Sequence, residues 1–308
     1  MPAKILLTPR SVTRQGHPSL ARLEEAGFEL VLSRPGETPQ EDDLIGLLPG
    51  CVGWIAGVET VSARVLQSAP DLRVISRNGT GADTIDLAAA GRLGIKVLRA
   101  EGANARGVAE LTMALMLALA RSIPATDRSL KAGRWERHKG FELEGKTLGL
   151  IGCGTIGRLV TGFAAALGMR VLAYDPVPAW ADAPAGFQYA GLADVFRQSD
   201  ILSLHCPPPP DGPLLDAVTL ASLKKGVCLI NTARAGLLDT EATLAALASG
   251  HVAGVALDVF EPEPPSDRRL LEHPRVIATP HIGGFTPESI DRAMNQAVDN
   301  LLEALQNI

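Results

Sequence analysis

Short apolar runs alternate along the chain with stretches whose apolar residues recur every three or four positions. In the N-terminal third the runs fall at Lys4–Thr8, Phe28–Ser33, Val52–Ala56, Leu72–Ser76 and Ile95–Leu98. Helical spacing covers His17–Gly27, Gln40–Leu48, Ser62–Ser68 and Asp86–Gly94 between them. Strand and helix in alternation predict a parallel sheet with helices on its faces. Asn104–Arg121 then carries Ala, Leu and Met on nearly every face, which predicts one long helix buried between domains or subunits. The following stretch to Gly145 has little strand character. After it the alternation resumes, with apolar runs at Leu148–Ile151, Arg170–Tyr174, Ile201–Leu204, Cys228–Asn231, Val252–Val259 and Val276–Ala278. Helical patterns lie at Ile156–Gly168, Leu192–Gln198, Leu220–Leu223, Thr240–Ser249 and Glu288–Leu305. The pattern predicts two α/β units rather than one long sheet.

What separates the units is glycine. The run Leu148–Ile151 meets Gly152-x-Gly154-x-x-Gly157 at once, a helix follows, and the next strand ends in Asp175. This is the order a dinucleotide site needs. The first glycine makes the tight turn, the second lets a pyrophosphate approach the backbone, and the third lets helix and strand pack closely. The helix N-terminus faces the phosphates and the acid holds the ribose hydroxyls. A lone glycine fingerprint is a weak sign, but here strand, glycines, helix, strand and acid agree in register. The first α/β unit has no such fingerprint.

Composition narrows the classes. A chain of 308 residues accommodates two domains, and 46% apolar against 20% charged residues supplies sizeable cores. The net charge of −5, with no basic block, excludes nucleic acid or an anionic membrane surface as the main partner. The N-terminus lacks a signal-peptide pattern, and the longest apolar run, Leu111–Ala120, is too short to span a bilayer. Cys51, Cys153, Cys206 and Cys228 form no C-x-x-C pair and sit in apolar runs, the usage of buried free thiols in a reducing cytoplasm. Cys153, inside the glycine loop, reads as a small neutral filler. No His/Cys/Asp/Glu spacing suggests a metal.

Three loops at strand ends carry candidate chemistry: Arg234 after Cys228–Asn231, Glu263 after the run ending at Val259, and His281 after Val276–Ala278. Open α/β sheets bind ligands outside the carboxyl ends of their strands. Arginine forks onto a carboxylate, histidine passes a proton near neutrality, and a neighbouring acid orients the imidazole. Together they suit reduction of a 2-oxo acid. Taken singly each has a plainer reading: Arg234 as a cap, Glu263 as a solvated surface acid, His281 as a loop histidine. His205, beside Cys206 and Pro207 at a strand end, is placed to line a cofactor cleft.

Taken together, these stretches resemble the D-isomer-specific 2-hydroxyacid dehydrogenase family, and most closely its phosphoglycerate dehydrogenase-like branch. The matching text is VISRNGTGADTID from Val74, NARGVAE from Asn104, the glycine loop, LHCP from Leu204, INTARAG from Ile230, ALDVFEPEP from Ala256 and TPHIGG from Thr279. Nearly the whole chain is covered, with the motifs in order. The resemblance implies two doubly wound parallel-sheet domains: a Rossmann NAD-binding domain, residues 103–284, inserted into a flavodoxin-like substrate domain, residues 1–102 and 285–308. It implies hinges near Gly102–Asn104 and Gly283–Thr286, and a homodimer formed through the apolar helix.

The implied enzyme is an NAD-dependent oxidoreductase that interconverts a small D-2-hydroxy acid and its 2-oxo acid, with Arg234, Glu263 and His281 catalytic. His281 paired with Glu263 is the acid/base, and Arg234 holds the substrate carboxylate. Asn78, Gly79, Arg234 and His281 would bind substrate. The cofactor would meet Gly152, Gly154, Thr155, Ile156, Gly157, Asp175, Pro176, His205, Cys206, Pro207, Thr232, Ala233, Asp258, Gly283, Gly284, Thr80 and Val108. Within that set Asp258 resembles the acid that contacts the nicotinamide carboxamide. Asp175 followed by Pro176 and Val177 favours NAD over NADP, whose 2′-phosphate would face a carboxylate.

The chain also departs from its relatives. Phosphoglycerate dehydrogenases carry arginines in the loop after the third strand, whereas Ile55–Thr60 has none and places Glu59 there. A carboxylate repels phosphate, so a glyoxylate- or hydroxypyruvate-like acid is expected ahead of 3-phosphoglycerate. The loop after Cys206-Pro207 runs on through prolines 208–210, and Arg99-Ala100-Glu101 replaces the family's usual pattern before the hinge. The alternatives are 3-phosphoglycerate dehydrogenase activity and a non-catalytic NAD(H)-sensing protein of the same fold.

Overall fold

The computed structural model describes residues 2–306. Residues 1, 307 and 308, which fall within the expected substrate domain, lie outside the described residues. The chain forms two compact units, Met1–Asn104 with Pro287–Ile308, and Ala105–Thr286.

The first unit opens with β1 (Lys4–Leu7), α1 (Arg10–Gln15), α2 (Ala21–Glu25), β2 (Glu29–Leu32), α3 (Glu41–Leu47), β3 (Cys51–Ala56), α4 (Ala63–Gln67), β4 (Val74–Arg77), α5 (Leu87–Arg92) and β5 (Lys96–Arg99). The five strands are parallel in the order β2-β1-β3-β4-β5, the flavodoxin-like winding. Helix starts follow side-chain chemistry: Ser62 accepts from the Val65 N–H and Asp86 from the Ala89 N–H.

The second unit begins with α6 (Ala105–Ala120) and α7 (Ile123–Lys131), then β6 (Thr147–Ile151), α8 (Thr155–Ala166), β7 (Arg170–Tyr174), β8 (Phe187–Tyr189), α9 (Leu192–Gln198), β9 (Ile201–Leu204), α10 (Ala217–Ser222), β10 (Val227–Asn231), α11 (Thr240–Ala248), β11 (Val252–Leu257), α12 (Arg269–Glu272) and β12 (Val276–Ala278). Its seven parallel strands run β12-β11-β10-β9-β6-β7-β8. Order reverses between β6 and β9, so the crevice at the carboxyl end lies beside β6, the strand that feeds the glycine loop. β6, β9 and β10 are buried along their whole length, as expected for strands covered on both faces.

The last helix, α13 (Pro287–Gln306), belongs to the first unit. Ala293, Met294, Ala297, Val298, Leu301 and Ala304 form its buried stripe; all but Ala293 join Ile5, Leu7, Ile55 and Val74 in one core cluster. Gly53 in β3 makes that seat: a Cβ there would lie 3.2 Å from the Leu301 methyls.

The structure differs from the sequence reading in small elements. α1 and α7 fall in stretches to which the sequence pattern assigned no element, since each is short and entered beside a proline. β8 is a three-residue edge strand too short to register as an apolar run. The expected helix at His17–Gly27 divides into a 3₁₀ turn at Pro18–Leu20 and α2.

Candidate active site

Each glycine of the fingerprint has its own physical reason. Gly152 sits at φ 95°, and a Cβ there would come within 2.4 Å of the His205 carbonyl oxygen. A Cβ on Gly157 would meet the Gly152 carbonyl oxygen at 2.5 Å, so the third glycine is what lets α8 close on the turn. Gly154 is different: nothing lies within 4 Å of its Cβ position. Open space there, over the N-terminal N–H groups of a 12-residue helix, fits a pyrophosphate.

Asp175 follows β7 as expected, and its carboxylate closes the loop. Oδ2 accepts from the Cys153 N–H at 2.8 Å and Oδ1 from the Val177 N–H at 2.9 Å. An open cavity of about 620 Å³ is lined by Gly154, Thr155, Arg158, Leu159 and Trp180. Arg158 spans its wall. It donates to the Cys153 and Ala179 carbonyls at 3.3 and 3.0 Å and lies 5.5 Å from the Trp180 ring centre. The sequence reading missed both residues; the signal for Arg158 was a cation one turn beyond Gly154. Cys153 is buried, and burial raises its thiol pKa, in keeping with a filler rather than a nucleophile. Burial also pushes the Cys206 thiol to about 11. His205 bonds the Ser203 hydroxyl through Nε2 at 2.9 Å while its Nδ1 is buried, and desolvation lowers its pKa to about 4.

Three neighbouring strands, β10, β11 and β12, deliver the other candidates to the same sheet edge. Arg234 begins the 3₁₀ turn Ala235–Leu237, and its Nη1 donates to the Ala233 carbonyl at 2.7 Å. Glu263 and His281 meet directly: Nδ1 of the imidazole lies 2.8 and 3.0 Å from the two carboxylate oxygens. Glu263 Oε1 also accepts from the Phe260 N–H at 3.0 Å, which fixes the carboxylate within its own loop. His281 has φ 53°, in the left-handed region that a β-substituted residue enters at a cost.

The reason His281 stays there is Asp258. Its buried carboxylate accepts from the Thr279 hydroxyl at 2.6 Å, the Ile282 N–H at 2.8 Å and the Gly283 N–H at 2.8 Å. Those donors flank His281 on both sides, so three of the roughly four acceptor sites of this carboxylate serve the loop. A Cβ on Gly283 would press on Asp258 and on Val108 of α6, at 3.0 and 3.2 Å. Thr232 is tied to α6 as well, its hydroxyl 3.1 Å from that of Thr112.

In the first unit, Asn78, Gly79 and Thr80 follow β4. The Asn78 N–H donates to the Ala56 carbonyl at 2.9 Å and Gly79 adopts φ 152°. Thr80 bonds the Asn104 side chain at 3.0 Å. Glu59 is buried: its carboxylate accepts from the Gly57 N–H at 2.8 Å and from the Thr8 hydroxyl. Arg77 turns its Nη1 to the carbonyls of Ala56 and Asn78.

Among the described residues no three His, Cys, Asp or Glu side chains gather as a metal site, and no single helix is long and apolar enough to cross a membrane. Comparison with known proteins gives concordant results. The model of the D-isomer specific 2-hydroxyacid dehydrogenase, NAD binding domain, matches residues 113–283. A hydroxypyruvate reductase of Thermotoga maritima is 42% identical over 273 residues, 86% of this chain and 89% of that protein. A D-3-phosphoglycerate dehydrogenase of Rattus norvegicus is 42% identical over 277 residues, 88% of this chain but 51% of the rat protein, so the chain spans about half its length. Among solved structures, that of the TT0316 protein from Thermus thermophilus aligns with a TM-score of 0.89 at 35% identity, covering 99% of this chain and 97% of that one.

Proposed function

The chain belongs to the D-isomer specific 2-hydroxyacid dehydrogenases, and on that premise we propose that Arg234, Glu263 and His281 are its catalytic residues. The protein is an NAD-dependent oxidoreductase that interconverts a D-2-hydroxy acid and its 2-oxo acid. NAD, when bound, supplies the hydride acceptor, or as NADH the donor, for the carbon that bears the hydroxyl. Gly154 and the first turn of α8 would take the pyrophosphate, and Asp175 the ribose.

The observation that carries the reading is the bond from Glu263 to Nδ1 of His281. With Nδ1 engaged, Nε2 is the nitrogen that hands a proton to the carbonyl oxygen in reduction and takes it from the hydroxyl in oxidation. Arg234 supplies the fork that grips the carboxylate and orients the carbonyl beside it.

The substrate we assign is a small 2-oxo acid without a phosphate, of the hydroxypyruvate or glyoxylate kind. Buried Glu59 supports it, since its carboxylate already takes the Thr8 hydroxyl and the Gly57 N–H, and the Ile55–Thr60 loop offers no cation for a dianion. Apolar side chains exposed on α7 and just beyond it, Ile123, Leu130 and Trp135 (84% exposed), support a homodimer with this face covered. The four unpaired cysteines are in keeping with a cytoplasmic protein.

The test is NADH oxidation over a panel of 2-oxo acids graded by size and charge, phosphorylated acids included, with His281→Ala alongside. Wild type should reduce at least one small unphosphorylated acid, and the variant should turn over roughly a hundredfold more slowly at unchanged NADH affinity. NADH binding without oxidation of any acid would favour a non-catalytic NAD(H)-sensing protein instead. A variant as fast as wild type would remove His281 from the chemistry.

A further inference from the structure

Asn231 is the last residue of β10, and 1% of it is exposed. A buried amide needs partners for both its donor and its acceptor ends. Here both ends go to one turn. Nδ2 donates to the Arg234 carbonyl at 2.7 Å, and Oδ1 accepts from the Ala233 N–H at 3.0 Å. The Asn231 carbonyl in turn accepts from the Asp258 N–H at 3.0 Å. Since the Asp258 carboxylate holds the residues on either side of His281, a continuous set of hydrogen bonds runs from the Arg234 turn through Asn231 and Asp258 to the loop that carries His281.

A second tether comes from α6. The Thr112 hydroxyl donates its only proton to the Val108 carbonyl at 2.9 Å, so across the 3.1 Å contact Thr232 is the donor and Thr112 the acceptor. The turn Thr232-Ala233-Arg234 is therefore fixed at both its ends, by side chains of Thr112 and Asn231 that are both buried.

We propose that Asn231, assisted by Thr112, is a positioning residue for the substrate carboxylate: it sets the turn that presents Arg234 and registers that turn against His281. The proposal rests on the reading of Arg234 as the carboxylate grip. It explains the choice of an amide. An ionised aspartate would turn a lone pair toward the Arg234 carbonyl, whereas its protonated form could donate there and still accept from Ala233. Charged or titratable groups at neighbouring positions are Arg234 in the same turn, Asp258 after β11, and His205 after β9.

The experiment is steady-state kinetics of 2-oxo acid reduction for Asn231→Ala, Asn231→Asp, Thr112→Val and Arg234→Gln, with NADH affinity by fluorescence titration and Tm as controls. Asn231→Ala should raise KM for the acid by about tenfold or more while kcat changes by less than about threefold and NADH affinity stays. Thr112→Val, which keeps the shape of the side chain, should shift KM the same way by a smaller factor. For Asn231→Asp the ratio of its KM to that of wild type should fall toward one as pH is lowered below about 6, where a buried acid takes up its proton. A merely structural role would not produce that pH-dependent rescue. Unchanged KM in Asn231→Ala, or a pH-independent ratio in Asn231→Asp, overturns the proposal while a raised KM in Arg234→Gln leaves the reading of Arg234 standing. Unchanged KM in Arg234→Gln overturns both.

Discussion

Replacing Asp258 by alanine removes the acceptor of three hydrogen bonds and leaves the Ile282 and Gly283 N–H groups and the Thr279 hydroxyl without it. Bonds to a charged acceptor are each worth about 1.5–3 kcal/mol, less when they share one acceptor. Against them stands the left-handed backbone of His281, which costs roughly 1–3 kcal/mol. With the carboxylate the loop is held with a few kcal/mol to spare. Without it the strain is opposed by less, by the Glu263 contact and the His281 N–H bond to the Thr279 carbonyl, and the backbone relaxes toward negative φ, which swings the imidazole away from Glu263. A deficit of about 1.4–2.8 kcal/mol in populating the working geometry corresponds to a kcat loss of roughly ten- to a hundredfold. The assay is kcat for 2-oxo acid reduction in Asp258→Ala, paired with hydrogen exchange at the Ile282 and Gly283 amides. Their protection should fall by a similar factor, while exchange in β6 and β9 stays as in wild type. An Asp258→Ala protein with kcat within about twofold of wild type and unaltered protection at 282 and 283 would refute the idea that this carboxylate holds His281 against its own backbone preference.

Two further outcomes bear on the cofactor side. Asp175→Ala should weaken NAD by about tenfold and narrow the preference for NAD over NADP, because a carboxylate no longer faces the 2′ position; an unaltered NAD to NADP ratio of kcat/KM would contradict the assignment. His205 is held neutral by burial, with its pKa lowered from 6.5 to about 4. The unfolded chain therefore binds a proton that the folded one refuses, and stability falls as pH drops below 6.5, the full loss being reached near pH 4. A lowering of that size corresponds to roughly 3 kcal/mol. Urea unfolding should show wild type losing roughly 2 kcal/mol more than His205→Gln between about pH 7 and about pH 4.5; parallel losses would mean that His205 titrates normally in the fold.

The architecture was legible because both sheets are parallel and largely buried on two faces, so each strand announces itself as an apolar run and each helix as a periodic stripe. The elements that escaped were those whose existence depends on tertiary support. α7 is entered through Ile123-Pro124 and a left-handed Ser122, and β8 is a three-residue strand at the sheet edge, paired with β7. Residues that would touch a ligand were legible for a related reason. Gly152, Asp175, Arg234, Glu263 and His281 stand just past apolar runs, where a polar residue has no part in the sheet and its type speaks for its chemistry.

The residues that hold those groups in place were much harder to read, because they do their work from the ends of the runs themselves. Asn231 closes the string CLIN and Asp258 follows VAGVAL directly, so by pattern each is the edge of a strand. The family resemblance marks Asp258 as a cofactor contact, but that either residue holds a loop in place is revealed only by the register of the sheet. Because β10 pairs with β11 and β11 with β12, Asn231 lies beside Asp258, and Asp258 reaches the loop after β12. Three loops that are distant in sequence thus share one set of buried polar contacts. Such a network is worth having only when it is complete, since a half-satisfied buried amide or carboxylate costs more than an apolar side chain in its place. That requirement gives a physical reason for an amide at 231 and an acid at 258, where either strand alone would be as well served by valine. It also separates the two kinds of substitution expected to harm this protein. On the proposed roles, changes at Arg234, Glu263 or His281 should remove chemistry and leave the fold as it is, whereas changes at Asn231 or Asp258 should leave the proposed catalytic groups present and loosen the geometry among them.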